Sequence, residues 1–386
     1  MSGPAVHTGP FPRLAAPTAF AYTGSMTVKA SDGEFFDRAH QQPQDWDRLA
    51  GWLRVQGHRL TLDPPPRQFT GGFGNLNFLV EIDGAARVLR RPPLGPLPPG
   101  ANDMGREYKV LSGLWREFPL APRALLFCDD AEVLGAPCFV MEYRPGLVVR
   151  DEIPDALHGK GRDLSEMMID VLADFQRVDP AKVGLDDLGN PDGFLARAVA
   201  GWAKRFGVAA PDVYTERPVP AAATEVLAWL QAQRVPDGAT TLLHNDYKLN
   251  NIILDTDAPT KPIAVLDWDM CTRGDPLFDL ATLLSYWSQP DDAPEIRDLG
   301  QMPTHTDHGW LTRAEVLDDY AAKTGLDVSD FHFYRVLTAF KLGVIFLQIY
   351  ARFCRGTTAD PRIEAMGPTT DGIFEFAHAL MKGEVF

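Results

Sequence analysis

LLHNDYKLNNIILD, Leu242 to Asp255, is followed shortly by AVLDWDMCTRGDPLFDLA, Ala264 to Ala281. Histidine, asparagine and aspartate stand at the ends of short leucine, isoleucine and valine runs, a placement that a merely solvated face does not need. Asn251-Ile252-Ile253-Leu254 and Ile263 to Leu266 both read as strands, and the turn-rich DTDAPTKP between them predicts an antiparallel hairpin. Such a hairpin brings Asp246, Asn251 and Asp267 to one edge. An aspartate and an asparagine with converging oxygens, beside a further carboxylate, suit a hard divalent cation that keeps waters and takes phosphate oxygens. Phosphate chemistry with magnesium is the use this predicts.

On the N-terminal side, QFTGGFGNLNFLVEIDGAARVLRR, Gln68 to Arg91, gives two β-like runs joined at Asp83-Gly84, a strong hairpin signal. Met104 to Phe118 has helical spacing, with Tyr108, Leu111 and Trp115 along one side. ALLFCDD and APCFVMEYRPG are again β-like, so this part reads as a small sheet with one main helix in the order β-β-α-β-β. DWDRLAGWLRVQG before it reads as a short amphipathic helix stopped by Gly57. From Leu147 the character changes to helices: SEMMIDVLADFQRV, DGFLARAVAGWAKRF, AAATEVLAWLQAQ and, near the end, FYRVLTAFKLGVIFLQIYARF. The last is apolar nearly all round but divided by Arg335, Lys341 and Arg352, which predicts the buried spine of a lobe rather than a membrane segment. The expected division is a Gly- and Pro-rich stretch over 1–32, read as a disordered tail or as an over-long start with Met26 as the true initiator, then an N-terminal lobe over 33–143 and a helical lobe over 144–386.

With 386 residues, 45% hydrophobic and 23% charged, the chain is long enough for two cores. A formal net charge of -15 disfavours nucleic acid or an anionic membrane as the main partner. The four cysteines form no C-x-x-C pair and suggest neither zinc nor a disulfide framework. No spanning segment or secretory signal is evident, and the expected compartment is the cytoplasm.

The pattern H-x-D-x-x-x-x-N at His244, Asp246 and Asn251, followed by Leu266-Asp267-Trp268-Asp269, resembles the aminoglycoside phosphotransferase and choline kinase-like family. VLRRPP, REYKVL and GDPLFDLA resemble the branch of kinase domains fused to acyl-CoA dehydrogenases. The resemblance runs from about Phe69 onward and implies an α+β fold with the two lobes of protein kinases. It implies that Asp246 positions the acceptor hydroxyl and receives its proton, that Lys248 meets the transferred phosphate, and that Asn251 and Asp267, with Asp269 as a further ligand or a supporting group, hold Mg²⁺. It also assigns the nucleotide, ATP or GTP, to the N-terminal lobe. Gly72, Gly74 and Asn75 would approach its phosphates, although Asn77 stands where the third glycine of G-x-G-x-x-G would be.

Strand alternation sets Val88 and Arg90 on one face and Leu89 and Arg91 on the other. Arg90 matches the kinase lysine position and Glu107 its ion-pair partner; alone, such a pair would read as a surface contact. Met141 would face the adenine, with the backbone of Glu142 and Arg144 reading its edge. His244 is expected to be structural, and Asp279 to tie down the catalytic loop. The expected reaction is phosphorylation of a small-molecule hydroxyl, with a hydroxyacyl-type metabolite favoured over an aminoglycoside or other antibiotic. A basic and partly apolar entrance from Arg197, Lys204 and Arg205 beside Phe194, Leu195, Trp202 and Phe206 would suit that acceptor. An inactive nucleotide-binding pseudokinase is the competing class, disfavoured by intact Asp246, Asn251 and Asp267. The lack of D-F-G, A-P-E and an activation loop disfavours a protein kinase.

Overall fold

The computed structural model describes residues 34–71, 74–95, 102–150, 152–297, 299, 302–305, 309–357, 361–364 and 366–386. The expected tail over 1–32, Met26 within it, and Gly72 of the glycine run lie outside these residues.

The first half of the fold is a six-stranded sheet: β1 (Leu60–Thr61), β2 (Arg67–Gln68), β3 (Leu76–Ile82), β4 (Ala85–Arg91), β5 (Ala124–Cys128) and β6 (Cys138–Glu142). The strands lie in the order β1-β3-β4-β6-β5, with β2 also against β3. Asp83 and Gly84 both have positive φ, 53° and 74°, the signature of a type I′ turn whose twist matches the flanking strands. That turn fixes the register from Leu76 opposite Arg91 to Ile82 opposite Ala85.

Alternation then sorts the side chains as expected. Leu89, Val140 and Phe78 join Leu49 and Leu53 of α1 (Trp46–Val55) in a small outer core, while Val88 and Met141 belong to the main core that continues among the helices. On the inner face lies α2 (Met104–Gly113), started by the Asp103 side chain on the Arg106 N–H at 3.0 Å. The one-helix reading omitted α3 (Ala131–Leu134), a single turn capped by Asp130 between two strands. It also omitted β1 and β2, two-residue strands too short to show a period.

After β7 (Leu147–Val148) the chain is mostly helical: α4 (Gly161–Gln176), α5 (Phe194–Val213) and α6 (Ala221–Ala232). It then forms β8 (Thr241–Leu243), β9 (Ile252–Leu254), β10 (Pro262–Val265) and β11 (Thr272–Gly274), followed by α7 (Pro276–Tyr286), α8 (Pro294–Arg297), α9 (Arg313–Thr324), α10 (Phe331–Cys354), α11 (Pro361–Glu364) and α12 (Met366–Lys382). The expected hairpin is β9 with β10, joined on its other edge by β7, and β8 pairs with β11. Gly146 passes so close to this hairpin that a Cβ there would collide with the Leu254 carbonyl.

Among the described residues α10 is the one helix long and apolar enough to cross a membrane. It instead packs against α5, α7 and α12 as the spine of the helical half. The basic entrance expected along 192–206 is corrected here. Leu195 and Phe206 are buried in the core, and Phe194 packs on Phe278 with ring centroids 5.2 Å apart. Arg197, Lys204 and Arg205 lie exposed. An amphipathic packing helix withdraws most of its apolar side from solvent, so Leu195 and Phe206 do not line the expected entrance, although half-buried Trp202 keeps Arg205 stacked 4.7 Å from its ring.

Candidate active site

The central loop runs from His244 to Asn251, between β8 and β9. Asn245 has φ 66°, a left-handed conformation that costs a non-glycine residue and persists only where its surroundings hold it. Asp279 of α7 accepts the N–H groups of His244 and Asn245 at 2.6 and 2.7 Å, the tie expected of it. The Asn245 side chain donates to the Met270 carbonyl at 2.8 Å. The buried His244 ring lies between two backbone groups, with Nε2 2.9 Å from the Leu266 carbonyl and the Asp246 N–H donating to Nδ1 at 3.3 Å. Those partners assign the neutral tautomer with its proton on Nε2. Trp268 packs on that ring at 4.6 Å and is buried itself.

Asp246 is thereby presented with its carboxylate surrounded by donors. Lys248 Nζ lies 3.0 and 2.9 Å from the two oxygens, the Tyr286 hydroxyl donates at 3.2 Å, and Asn251 Nδ2 at 3.3 Å. Burial opposes the charge on Lys248, but Tyr286 and Asp246 outweigh it and hold the ammonium protonated above its ordinary value. Asn251 also donates from Nδ2 to the Asp246 carbonyl at 2.8 Å, which turns its Oδ1 away from Asp246.

From β4, Arg90 reaches the second carboxylate segment. Its Nε donates to Glu107 of α2 at 2.8 Å, Nη1 to Asn77 at 3.3 Å, and Nη2 to Asp267. Both partners of the Arg90–Glu107 pair are buried, with side chains 7% and 2% exposed, so this is no surface pair. Burial pushes the Glu107 carboxyl upward, and Arg90 opposes that push. Asp267, at φ 69°, is also pressed upward by burial, yet the Arg90 guanidinium holds it below the usual carboxylate range. Asp269 behaves oppositely: burial and then the neighbouring Asp267 charge push it up to about 7.

Two crowded carboxylates and the Asn251 carbonyl oxygen are hard donors, and a divalent cation would relieve the repulsion between the first two. Among the described residues no group of three or more His, Cys, Asp or Glu could close a metal site with protein alone. The donor set therefore fits Mg²⁺ that keeps waters and takes phosphate oxygens, rather than a fully protein-bound ion.

The remaining expected residues are placed unevenly. Val88 and Met141 are opposite each other on β4 and β6, buried on the inner face. The Glu142 N–H donates to the Arg123 carbonyl at 3.0 Å, so that amide is taken and is not the group offered to an adenine edge. Arg144 uses its side chain as a staple, donating to the carbonyls of Pro119 and Ile263 at 2.8 and 3.0 Å and to Glu142 at 2.9 Å. Asn102 ties down the Gly74 carbonyl and the Asn75 side chain at 2.7 and 2.9 Å. A Cβ on Gly74 would meet nothing nearer than 3.7 Å, so no crowding demands glycine there.

Three contacts escaped the sequence reading: Tyr286 on Asp246, Arg106 donating to the Asp269 carbonyl, and Lys341 of α10 beneath the loop. The signal for Lys341 was present, an ammonium midway along a mostly apolar helix, between Arg335 and Arg352.

Comparison with known proteins accords with this geometry. The phosphotransferase enzyme family (APH) matches over residues 66–315. Acyl-CoA dehydrogenase family member 11 from Gallus gallus is 31% identical over 300 residues, 76% of this chain and 37% of the relative. Member 10 from Mus musculus is 27% identical over 321 residues, 83% of this chain and 29% of the relative. The chain thus spans about a third of the length of these curated relatives. Among solved structures, a Ralstonia eutropha protein provisionally classed as an aminoglycoside phosphotransferase superposes with a TM-score of 0.69 at 24% identity, covering 87% of this chain and 98% of its own. A thermostable mutant of aminoglycoside phosphotransferase APH(4)-Ia, solved with ADP and hygromycin B, gives 0.52 at 16% identity, covering 85% and 98%. The two-lobed α+β fold is theirs, and the chain belongs to the phosphotransferase enzyme family.

Proposed function

We propose that the protein transfers the γ-phosphoryl group of ATP or GTP to the hydroxyl of a hydroxyacyl-type metabolite, with Mg²⁺ held by Asp267, Asn251 and, further out, Asp269. The observation that carries the reading is that Arg90 of β4 pairs with both Glu107 and Asp267, while Lys248, paired with Asp246, also bears electrostatically on Asp267. In the transfer, the acceptor oxygen forms a bond to the γ-phosphorus, the bond from that phosphorus to the β-phosphate bridging oxygen breaks, and the nucleoside diphosphate leaves. Asp246 positions the hydroxyl and takes its proton. For that, Lys248 must release at least one Asp246 oxygen, and the transferred phosphoryl group is the natural new partner for its charge. Bound Mg²⁺ would supply charge neutralisation at the phosphate oxygens. Val88 and Met141 would pack on the base, with the Glu142 carbonyl and the Arg144 N–H reading its edge.

The acyl acceptor is supported by the relatives named as acyl-CoA dehydrogenase family members, and no longer by the basic side of α5. Transfer of labelled phosphoryl from ATP and from GTP to a panel of hydroxyacyl-CoAs and aminoglycosides tests it, with Asp246→Asn as the control. The variant should bind nucleotide within about twofold of wild type and lose on the order of 10²–10⁴ in turnover, the usual worth of a positioned base. Near-normal turnover in Asp246→Asn would remove that residue from the chemistry. Aminoglycoside transfer without hydroxyacyl transfer would replace the acceptor.

A further inference from the structure

Lys341 lies in the middle of α10, 3% exposed, and is not accounted for by the site residues above. Its Nζ donates to the Asn245 carbonyl at 2.7 Å and to the Thr282 hydroxyl of α7 at 3.2 Å, and it sits 5.0 Å from the centre of the Phe278 ring. We infer that Lys341 is a positioning residue for catalysis: from beneath, it holds the left-handed Asn245 peptide that leads into Asp246. The inference rests on Asp246 being the acting carboxylate.

Asn245 is gripped on both of its backbone groups. Asp279 takes its N–H at 2.7 Å and Lys341 takes its C=O at 2.7 Å. The two grips come from different helices, α7 and α10, whose positions are fixed by the main core. With the N–H and C=O both held, rotation about φ and ψ at Asn245 is blocked, and the direction in which residue 246 leaves the turn is set. A neutral side chain at 341 would leave the carbonyl unpaired in a buried place, and the strained turn would lose one of its supports.

The choice of lysine is costly to the fold, which argues for a function. Burial pushes the ammonium down to about 8, against the pull of Asp246 and Asp279 and with the help of Lys248. These three, with Thr282 and Phe278, are the charged and packed groups around it. The sign follows. A lysine whose folded pKa lies below its unfolded value weakens the fold at neutral pH, and that penalty fades as pH rises from about 8 toward 10.5. The grip on Asn245 runs the opposite way: it is charge-assisted below about pH 8 and weakens above it as the ammonium becomes a neutral amine.

Hydrogen–deuterium exchange of segment 241–254 reads the grip directly, with no acceptor needed. In Lys341→Met at pH 7 the amides of His244, Asn245 and Asp246 should exchange about tenfold faster, the equivalent of one net hydrogen bond. The melting temperature should hold or rise, exchange along α10 should stay unchanged, and the Kd for ATP should remain within about twofold, since the nucleotide's proposed partners are untouched. As a second measurement on wild type, loop protection corrected for intrinsic exchange should fall between pH 7 and 9.5. Unchanged loop exchange in the variant, or faster exchange spread over α10 with a lower melting temperature, would overturn the inference, as would wild-type loop protection that is flat with pH. None of these readouts depends on transfer activity, so a failure of the phosphotransfer reading would show separately in Asp246→Asn.

Discussion

Arg90→Met puts the buried charge cluster to a quantitative test. The Glu107 side chain is 2% exposed and has Arg90 Nε at 2.8 Å. Methionine fills much of the arginine volume but leaves that carboxylate without a cation, and breaking a buried pair on one side costs about 3–5 kcal/mol. With an m-value of ~3 kcal/mol/M, the urea midpoint should drop by about 1–1.7 M. Asp267 adds little to this loss, because its side chain is 39% exposed and can be solvated. Replacing both partners, Arg90→Met with Glu107→Leu, should recover most of the loss, since a well-packed apolar pair is often as stable as the ion pair it replaces.

The pH dependence has a fixed sign. Burial raises the Glu107 carboxyl and Arg90 opposes that rise, so without Arg90 the carboxyl rises further and protonates in the fold. The excess loss in the single variant is therefore largest at alkaline pH and shrinks as pH falls through the raised value. Urea melts of the wild type, both singles and the double at pH 8 and 5.5 decide it. A loss in Arg90→Met that is pH-independent and not recovered in the double would show that the pair is not what stabilises this region.

Asp267→Ala should abolish the Mg²⁺ enhancement of nucleotide binding in calorimetry, because a carboxylate is the strongest ligand in the proposed donor set; undiminished enhancement would move the metal elsewhere. Tyr286→Phe should lower turnover about tenfold with nucleotide affinity unchanged, the worth of one hydrogen bond to a carboxylate, and steady-state kinetics showing a change in nucleotide KM instead would assign Tyr286 to another role.

What was legible in the sequence is what function confines to short spacing. His244, Asp246 and Asn251 lie within one loop, and Asp267 follows one hairpin later, so the order of the residues nearly reproduces their arrangement in space. The Asp83-Gly84 turn was legible because only a few residue types tolerate its positive φ. Arg90 and Glu107 were legible only through the family resemblance, since nothing local distinguishes a buried pair from an exposed one. Tyr286 and Lys341 reach the loop from 40 and 96 residues away, out of helices whose apolar pattern reads as core. Leu195 and Phe206 of α5 misled for the related reason that neighbours in sequence diverge to opposite sides of a helix.

Arginine at position 90, in place of the kinase lysine, then has a physical consequence rather than being a loose match. An ammonium is a compact charge, whereas the guanidinium here spreads three acceptors over three nitrogens: Glu107 on Nε, Asn77 on Nη1 and Asp267 on Nη2. On the proposed mechanism Asp267 would be among the residues that hold Mg²⁺, which would leave Nη2 of Arg90 free of that carboxylate. The Nε bond to Glu107 does not have to break for this, because it lies nearer the root of the side chain. Arg90 can therefore stay anchored to α2 while its tip passes from a carboxylate to a phosphate oxygen, one anion replacing another at the same nitrogen. A lysine would have to share its single nitrogen among Glu107, Asp267 and the phosphate. Arg90→Lys should accordingly keep the Glu107 pair and much of the stability, yet lose the interaction with Asp267.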